Sequence, residues 1–373
     1  MRIMIICNNA LGLYVFREKL ISTLIDKGNE VCAILPRSDD NIEKTARYNL
    51  EGIGCKTLFV TMKSREINII DELKLLKSFK DIIKKEKPDL VITYTIKPNV
   101  YGGIMCRLLK VPYVSNITGL GTLFQNDGIL KKIATILYKV SLKKAKVVFF
   151  ENEENRQIFL TLGIIKEEQT HLLNGAGVDL QRFSYQPYPE EYDDETRFLF
   201  IGRVMHEKGV NELFAAMKSL HDDGIPCTLD IIGKYEEDYA GTIDCCAAQG
   251  WLFYHGYQSD VRPYIANCHC LVLPSWHEGM ANTILECAAS GRPVITSNIS
   301  GCREGVIDRQ TGLLHEVRNS LDLYRKMKRL CFTSFKERES MGIRGREFMK
   351  EVFDKEKVVE ETIKTIMEKY NEV

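Results

Sequence analysis

The chain lacks several of the signatures by which an enzyme usually announces itself. There is no G-x-x-x-x-G-K-[ST] loop, no H-E-x-x-H helix and no C-x-x-C spacing. No D-x-D pair is present to hold a divalent ion against a diphosphate. No G-x-G-x-x-G follows a strand-like run, Gly119-Leu120-Gly121 being only a fragment of that pattern. Net charge is missing too: 51 basic residues balance 51 acidic ones, so overall charge gives no reason to expect nucleic acid. No apolar run approaches the roughly 18 residues needed to span a bilayer. The start, Met1 to Cys7, is too short for a signal peptide and reads as a first strand.

What is present is an ordinary soluble composition, 45% hydrophobic and 27% charged, in a 373-residue chain long enough for two cores. Twelve cysteines are scattered, and Cys7, Cys32, Cys227 and Cys270 fall in apolar strand-like runs where a thiol acts as a small hydrophobe. A reduced, cytosolic compartment is the simplest expectation.

Short β-branched runs alternate with amphipathic segments through the first half: Ile3 to Cys7, Glu30 to Leu35, Lys56 to Thr61, Leu90 to Tyr94, Tyr113 to Asn116, Val147 to Phe150 and His171 to Leu173. Such alternation predicts βαβ units and a parallel sheet covered on both faces. Pro187-Tyr188-Pro189 and the acidic run Glu190, Glu191, Asp193, Asp194, Glu195 read as a linker. A second alternation follows at Phe198 to Ile201, Thr228 to Ile232, Leu252 to His255, Leu271 to Leu273 and Val294 to Ser297. The expected architecture is α/β, two doubly wound Rossmann-like domains facing a central cleft. The expected domains are 1–186, 187–352 and a C-terminal helix, 353–373, packing back on the first domain.

Two stretches of the second half carry chemistry. Pro274 to Glu286 is a strand end, a turn broken at Gly279 and a helix start, with Glu278 before the helix and Glu286 inside it. Amides at a helix N-terminus lack intrahelical partners and face the positive end of the dipole, so a phosphate is favoured there. Carboxylates on either side accept hydrogen bonds from hydroxyls, which suits a diphosphate with a polyol at each end. Two glutamates eight apart are, by themselves, equally a solvated helix glutamate and a loop glutamate. The second stretch, Gly202-Arg203 to Lys208-Gly209, puts two cations at the end of the first strand of the second domain. An arginine can grip phosphate oxygens through a planar fork and a lysine supplies a point charge, so Arg203 and Lys208 are either the two cations that replace a metal at a leaving diphosphate or ordinary surface charge.

These pieces, with Asn174-Gly175-Ala176-Gly177-Val178-Asp179, Phe183 and Ser290-Gly291-Arg292-Pro293-Val294-Ile295, resemble the retaining family 4 glycosyltransferases of GT-B fold over nearly the whole chain. The resemblance implies a metal-independent retaining hexosyltransferase that uses a UDP-sugar and no cofactor. Arg203 and Lys208 would hold the donor diphosphate, Glu278 the donor sugar hydroxyls and Glu286 the ribose hydroxyls. Gly202, Gly279 and backbone amides around Met280, Ala281, Asn282 and Thr283 would line the donor, with His277 either touching it or packing the turn. Trp276 is expected to pack. Gly12, in Asn9-Ala10-Leu11-Gly12, would let the backbone approach the donor from the first domain.

Many relatives carry an acceptor-side histidine in the first domain, whereas all seven histidines here lie at position 171 or later, and a histidine base from that domain is not expected. Lys97, Asn116 and Thr118 are the acceptor-side candidates. From Gly128 to Phe150 there are six lysines and no acidic residue, and Ile129, Ile133, Ile136, Leu137 and Val140 recur at helical spacing. Lys131, Lys132, Lys139, Lys143 and Lys144 are thus candidates to face an anionic membrane surface, or else the solvated side of a sheet-covering helix. With Phe16-Arg17 and Gly119-Leu120-Gly121, this segment looks most like the diacetylbacillosaminyl-diphospho-undecaprenol N-acetylgalactosaminyltransferases. The implied acceptor is a lipid-linked diphosphate saccharide at the cytoplasmic membrane face. A nucleotide-sugar epimerase of the same fold and a non-catalytic sugar-nucleotide-binding protein remain as alternatives.

Overall fold

Residues 1–62, 68–120, 124, 128–189 and 195–372 are described by the computed structural model. Gly121 and the acidic linker residues 190–194 lie outside them.

The chain divides into two units, one of Met1–Ala176 with the C-terminal segment from Glu356, the other of Gly177–Lys355. In the first unit the order is β1 (Arg2–Ile6), α1 (Ala10–Asp26), β2 (Glu30–Pro36), α2 (Asn41–Gly52), β3 (Lys56–Val60), α3 (Ile69–Glu86) and β4 (Leu90–Tyr94). Then come α4 (Gly103–Leu109), β5 (Tyr113–Ile117), α5 (Ile129–Leu142), β6 (Val148–Phe150), α6 (Glu153–Thr161) and β7 (Thr170–Leu172). The strands are parallel in the order β3-β2-β1-β4-β5-β6-β7. β-Branched and aromatic runs form them because such side chains pack well on a pleated surface buried on both faces. One face of the sheet carries α3, α4 and α5 through Leu75, Phe79, Cys106, Tyr138 and Leu142. The other carries α1 and α2.

The second unit runs β8 (Thr196–Ile201), α7 (Val210–Asp222), β9 (Cys227–Ile232), α8 (Ala240–Ala248), β10 (Leu252–Tyr254), α9 (Arg262–Asn267) and β11 (Cys270–Leu273). It continues through α10 (Asn282–Ala289), β12 (Val294–Ser297), β13 (Gly312–His315), α11 (Ser320–Cys331) and α12 (Phe335–Val352). Its parallel order is β10-β9-β8-β11-β12-β13. In each sheet the order reverses beside the first strand, between β1 and β4 and between β8 and β11, which is where such folds hold ligands at the strand carboxyl ends.

The last helix, α13 (Lys355–Asn371), inserts Val359, Ile363 and Ile366 into the first unit's core. Residues 177–186, expected with the first domain, belong to the second unit. The Arg346 guanidinium holds them there, donating to the Phe183 carbonyl at 2.6 Å and the Leu180 carbonyl at 3.1 Å. Strand β13 is absent from the sequence-based expectation. Only four residues long and starting at a glycine, it pairs so closely with β12 that a Cβ on Gly312 would lie 2.1 Å from the Val294 oxygen.

Candidate functional site

The turn after β8 is built on a close approach of two backbones. A Cβ on Gly233, at φ +150°, would lie 1.8 Å from the Gly202 oxygen, so the ends of β8 and β9 meet only because glycine stands there. Arg203 follows, half-exposed, with one guanidinium nitrogen 3.6 Å from Glu236. His206 to Lys208 then form a single helical turn that ends at Gly209, φ +71°, whose Cβ would lie 2.1 Å from the Pro274 oxygen. That contact seats the turn against the end of β11. The Trp276 amide donates to the Glu207 carbonyl at 2.9 Å and completes the join.

This junction brings together residues 70 positions apart. The Lys208 ammonium donates to a Glu278 carboxylate oxygen, and their side chains are only 18% and 14% exposed. His277 lies 3.4 Å from Glu207, and burial lowers its pKa against the opposing pull of the Glu207 and Glu278 carboxylates. Trp276 packs, as expected, its ring under the Arg318 guanidinium at 4.3 Å and edge-on to His206 at 5.2 Å.

Helix α10 starts just beyond. Its N-cap, Ala281, has no side chain to cap the first-turn amides, and Asn282 turns its amide nitrogen back to the Met280 carbonyl at 3.3 Å. Positive helix-end potential is therefore left without a side-chain cap. The carbonyl oxygen of the Asn282 side chain is buried with no partner. One turn along the same helix is Glu286, whose carboxylate has no hydrogen-bond partner among the described residues. Burial pushes it up to about 7, against the opposing charges of Arg182 and Lys355. A carboxylate poised there changes charge near neutrality.

The turn at Glu278 and Gly279 is braced by a loop that sequence reading passed over. Gly301, φ +86°, would place a Cβ 2.6 Å from the Glu278 oxygen and 2.7 Å from the Gly279 oxygen, and its carbonyl accepts the Ala281 amide at 2.8 Å. Glu304 holds this loop, taking the Gly301 amide at 2.7 Å and the Ser300 hydroxyl at 2.9 Å. A glycine three residues before a glutamate just after a strand was the available signal. Arg292, carried by the same family pattern, is fully buried and donates to the carbonyls of Ile265, Gln186, Pro187 and Ala266 at 2.8–3.0 Å.

The first unit holds the remaining candidates. Gly12 is the third residue of α1, and its amide donates to the side-chain oxygen of the N-cap Asn9. The Glu43 carboxylate takes the Ala10 amide at 2.7 Å and the Leu11 amide at 3.4 Å, so this helix start is already capped. Lys97 and Thr118 meet in a pocket of about 260 Å³ at the strand carboxyl ends, with Asn8, Met62, Thr95, Ile96 and Gly119. Lys97 pairs with Glu72 at 2.5 Å. Thr95 adopts φ +73°, a strained conformation for a β-branched residue, and its hydroxyl is buried without a partner. Asn116 does not line this pocket. It is buried beneath, donating to the Thr93 carbonyl at 3.3 Å and accepting from Asn99 at its own carbonyl at 2.8 Å.

The first unit does contain a histidine. His171 stands on the edge strand β7, paired with Glu361 of α13 at 2.8 Å and three strands from β4. On and after α5, Lys132, Lys139, Lys143 and Lys144 are exposed and Lys131 is half-exposed.

The family profile described as glycosyl transferases group 1 matches residues 195–332, and that described as glycosyl transferase 4-like matches residues 6–152. The chain is 27% identical over 354 residues to the N,N'-diacetylbacillosaminyl-diphospho-undecaprenol alpha-1,3-N-acetylgalactosaminyltransferase of Campylobacter jejuni, covering 88% of this chain and 89% of that one. It is 28% identical over 292 residues to the UDP-Gal:alpha-D-GlcNAc-diphosphoundecaprenol alpha-1,3-galactosyltransferase of Escherichia coli, covering 72% and 73%. Among solved structures, sucrose-phosphate synthase from Thermosynechococcus elongatus superposes with a TM-score of 0.81 at 19% identity over 99% of both chains. The Anabaena HepE complex with UDP superposes with a TM-score of 0.77 at 16% identity, over 99% of this chain and all of that one.

Proposed function

The chain is a group 1 glycosyltransferase of GT-B fold, and from that premise we propose that it moves a hexose or N-acetylhexosamine, GalNAc being favoured, from a UDP-sugar to an undecaprenyl-diphosphate-linked saccharide. The anomeric configuration is retained and no metal is used. The observation that carries the reading is the cluster at the second unit's switch point: Lys208 paired with Glu278 before a helix start with no side-chain cap, and Glu286 one turn into that helix with no hydrogen-bond partner among the described residues.

In this reading Arg203 and Lys208 grip the donor diphosphate, and the amides of Met280 to Thr283 meet its distal phosphate. Glu278 takes the hydroxyls of the donor sugar. Glu286, with Asn282 on the same helix face, takes those of the ribose. Two fixed cations neutralise the diphosphate as it leaves, which is the work a divalent ion does elsewhere. The saccharide acceptor enters the first-unit pocket at Lys97 and Thr118. With front-side attack, the departing phosphate accepts the proton from the acceptor hydroxyl, so no histidine base is needed. Among the described residues no helix is long and apolar enough to cross a membrane. In this reading the enzyme works peripherally, on the inner face of the cell membrane, where a lipid-linked acceptor presents its saccharide.

The test is transfer of radiolabelled sugar from a panel of UDP-sugars into undecaprenyl-diphosphate-linked saccharides, with EDTA present and Glu278→Ala and Lys208→Ala as controls. Label entering the lipid fraction from one donor, surviving EDTA and lost in both variants, is the expected result. Sugar converted without acceptor would replace this reading with the epimerase, and donor binding without any turnover would replace it with the non-catalytic one.

A further inference from the structure

Helix α5 turns its apolar stripe outward. The residues it buries against the sheet are Ala134, Tyr138, Ser141 and Leu142. Ile129, Leu130, Ile133, Ile136 and Val140 are 40–76% exposed, among the lysines of the same helix. An amphipathic helix normally does the reverse, because each exposed isoleucine forgoes the free energy of burial. On the same face of the sheet the neighbouring helices repeat the pattern. Leu108 on α4 is 68% exposed, and Ile69, Ile70 and Leu73 at the start of α3 are 60–77% exposed. α4 packs between α3 and α5, and Arg107 ties it to α5 by donating to the Val140 carbonyl at 2.9 Å. The exposed apolar residues of α5 thus form an outward stripe along the length of the helix, and further exposed apolar side chains stand on α4 and α3 of the same sheet face.

On α5 the charge is of one sign, whereas α3 carries both signs, with Lys80, Asp81 and Lys84 exposed. The segment from 128 to 150 has six lysines and no acid. On α3 the first-turn acids are matched internally, Asp71 by Lys74 at 3.9 Å and Glu72 by Lys97 at 2.5 Å.

We infer that this face is an interfacial docking surface, whose isoleucines and leucines enter the headgroup and acyl boundary of an anionic bilayer while the lysines pair with lipid phosphates. A second copy of the chain is disfavoured, because a two-fold contact would set lysine stripe against lysine stripe. A bilayer supplies both apolar depth and negative headgroups.

The topology gives the surface a purpose. In parallel βαβ units each helix starts at the carboxyl edge of the preceding strand, so α3 and α5 begin at the edge where Lys97 and Thr118 line their pocket. Seating the starts of α3 and α5 in the headgroups holds that pocket at the depth where the saccharide of a lipid-linked acceptor emerges. This last step rests on the lipid-linked acceptor reading, whereas the docking surface itself does not.

The experiment is flotation of the full chain with vesicles of phosphatidylglycerol and phosphatidylethanolamine in equal parts, against vesicles of phosphatidylcholine alone. The wild type is expected to float with the anionic vesicles, and Ile133→Glu with Ile136→Glu is expected to lower the bound fraction by about tenfold or more. The same double variant should keep its transfer to a water-soluble, short-chain acceptor. Ile136→Trp, a milder change, should show a blue-shifted indole emission on vesicle binding and quenching by brominated lipid. Undiminished flotation of the double variant, no flotation of the wild type, or an Ile136→Trp variant whose emission brominated lipid leaves unquenched would overturn the proposal. So would a wild-type dimer that the double variant converts to monomer, since a second copy would then cover the face. If vesicles are bound but no lipid-linked saccharide is ever glycosylated, the acceptor reading fails and the docking surface stands.

Discussion

Lys208 donates to Glu278 across 70 positions of sequence, so the cation we propose for the donor diphosphate is already partnered in the free protein. In the proposed site a nucleotide diphosphate would compete with that carboxylate for Lys208, while a donor sugar would give Glu278 new partners. The two variants should therefore separate. Lys208→Ala is expected to weaken UDP binding by about tenfold or more, from the loss of one charge-assisted contact. Glu278→Ala should tighten UDP by about two- to tenfold, because Lys208 is released, yet lower sugar transfer by about 100-fold or more. Calorimetric titration of UDP beside initial-rate measurements gives both numbers. Equal weakening of UDP in both variants would mean that the pair binds as a unit.

Glu286 predicts a pH dependence whose sign differs between stability and binding. Burial raises its folded pKa to about 7 from the ordinary carboxylate value, so the folded state holds the proton more tightly than the unfolded chain. Its contribution to stability is then most favourable at low pH and is lost as pH rises towards about 7. If Glu286 takes the ribose hydroxyls as proposed, its ionised form is the stronger acceptor, so UDP affinity should rise as pH climbs through about 7 and level off above it. Glu286→Gln should flatten both profiles. Thermal melts and UDP titrations between about pH 5.5 and pH 8.5 check this, and a wild-type affinity falling with pH across that range would contradict it.

The loop that braces the donor-side turn makes a sharper test of geometry. Gly301→Ala adds the strain of φ +86° and a Cβ 2.6 Å from the Glu278 carbonyl oxygen, whereas Gly224→Ala at φ +68° adds strain alone, with nothing within 4 Å. Left-handed strain costs about 1–2 kcal/mol, and the backbone clash at Gly301 should raise that to roughly 2–4 kcal/mol. Only Gly301→Ala should also weaken UDP-sugar binding, since only there does the Glu278 turn have to move. Urea unfolding of both variants with donor titration distinguishes the two effects.

The strands were legible because β-branched runs between helical patterns have few other physical meanings, and Leu90–Tyr94 and Val294–Ser297 fall where the sequence puts them. β13 was not, being a short edge strand with a glycine at its start. That Lys208 and Glu278 stand at strand carboxyl ends was legible, but their contact was not. Nothing local to Lys208 says that Glu278 will be its partner, and nothing local to Gly301 says whose carbonyl it will abut. Asn116 was misplaced because a polar residue at a strand end reads alike whether it lines a pocket or ties strands together beneath one. Helical periodicity identified the α5 stripe, yet periodicity alone cannot say which stripe meets the sheet, and here it is the narrower one through Ala134 and Tyr138.

Arg292 shows how a residue carried by a family pattern can act on the fold rather than on the ligand. Its guanidinium is fully buried and reaches six carbonyls: Ile265 and Ala266 of α9, Gln186 and Pro187 of the segment entering the second unit, and, at 3.3–3.4 Å, Ser290 and Gly291. Burial lowers its pKa, and the Tyr188 ring lies 5.7 Å from the charge. A lysine cannot reproduce the planar fork, so Arg292→Lys should leave at least two of the carbonyls unpartnered and cost about 3–5 kcal/mol. Arg292→Met, nearly matched in volume, removes the buried charge but leaves those carbonyls without its donors, and should cost about 2–4 kcal/mol. Neither should change UDP affinity in the folded fraction by more than about twofold, because no contact of Arg292 reaches the turn at Glu278 or the start of α10. Denaturant midpoints would carry the whole effect, and a variant with unchanged midpoint but lost UDP binding would make Arg292 a ligand-facing group instead.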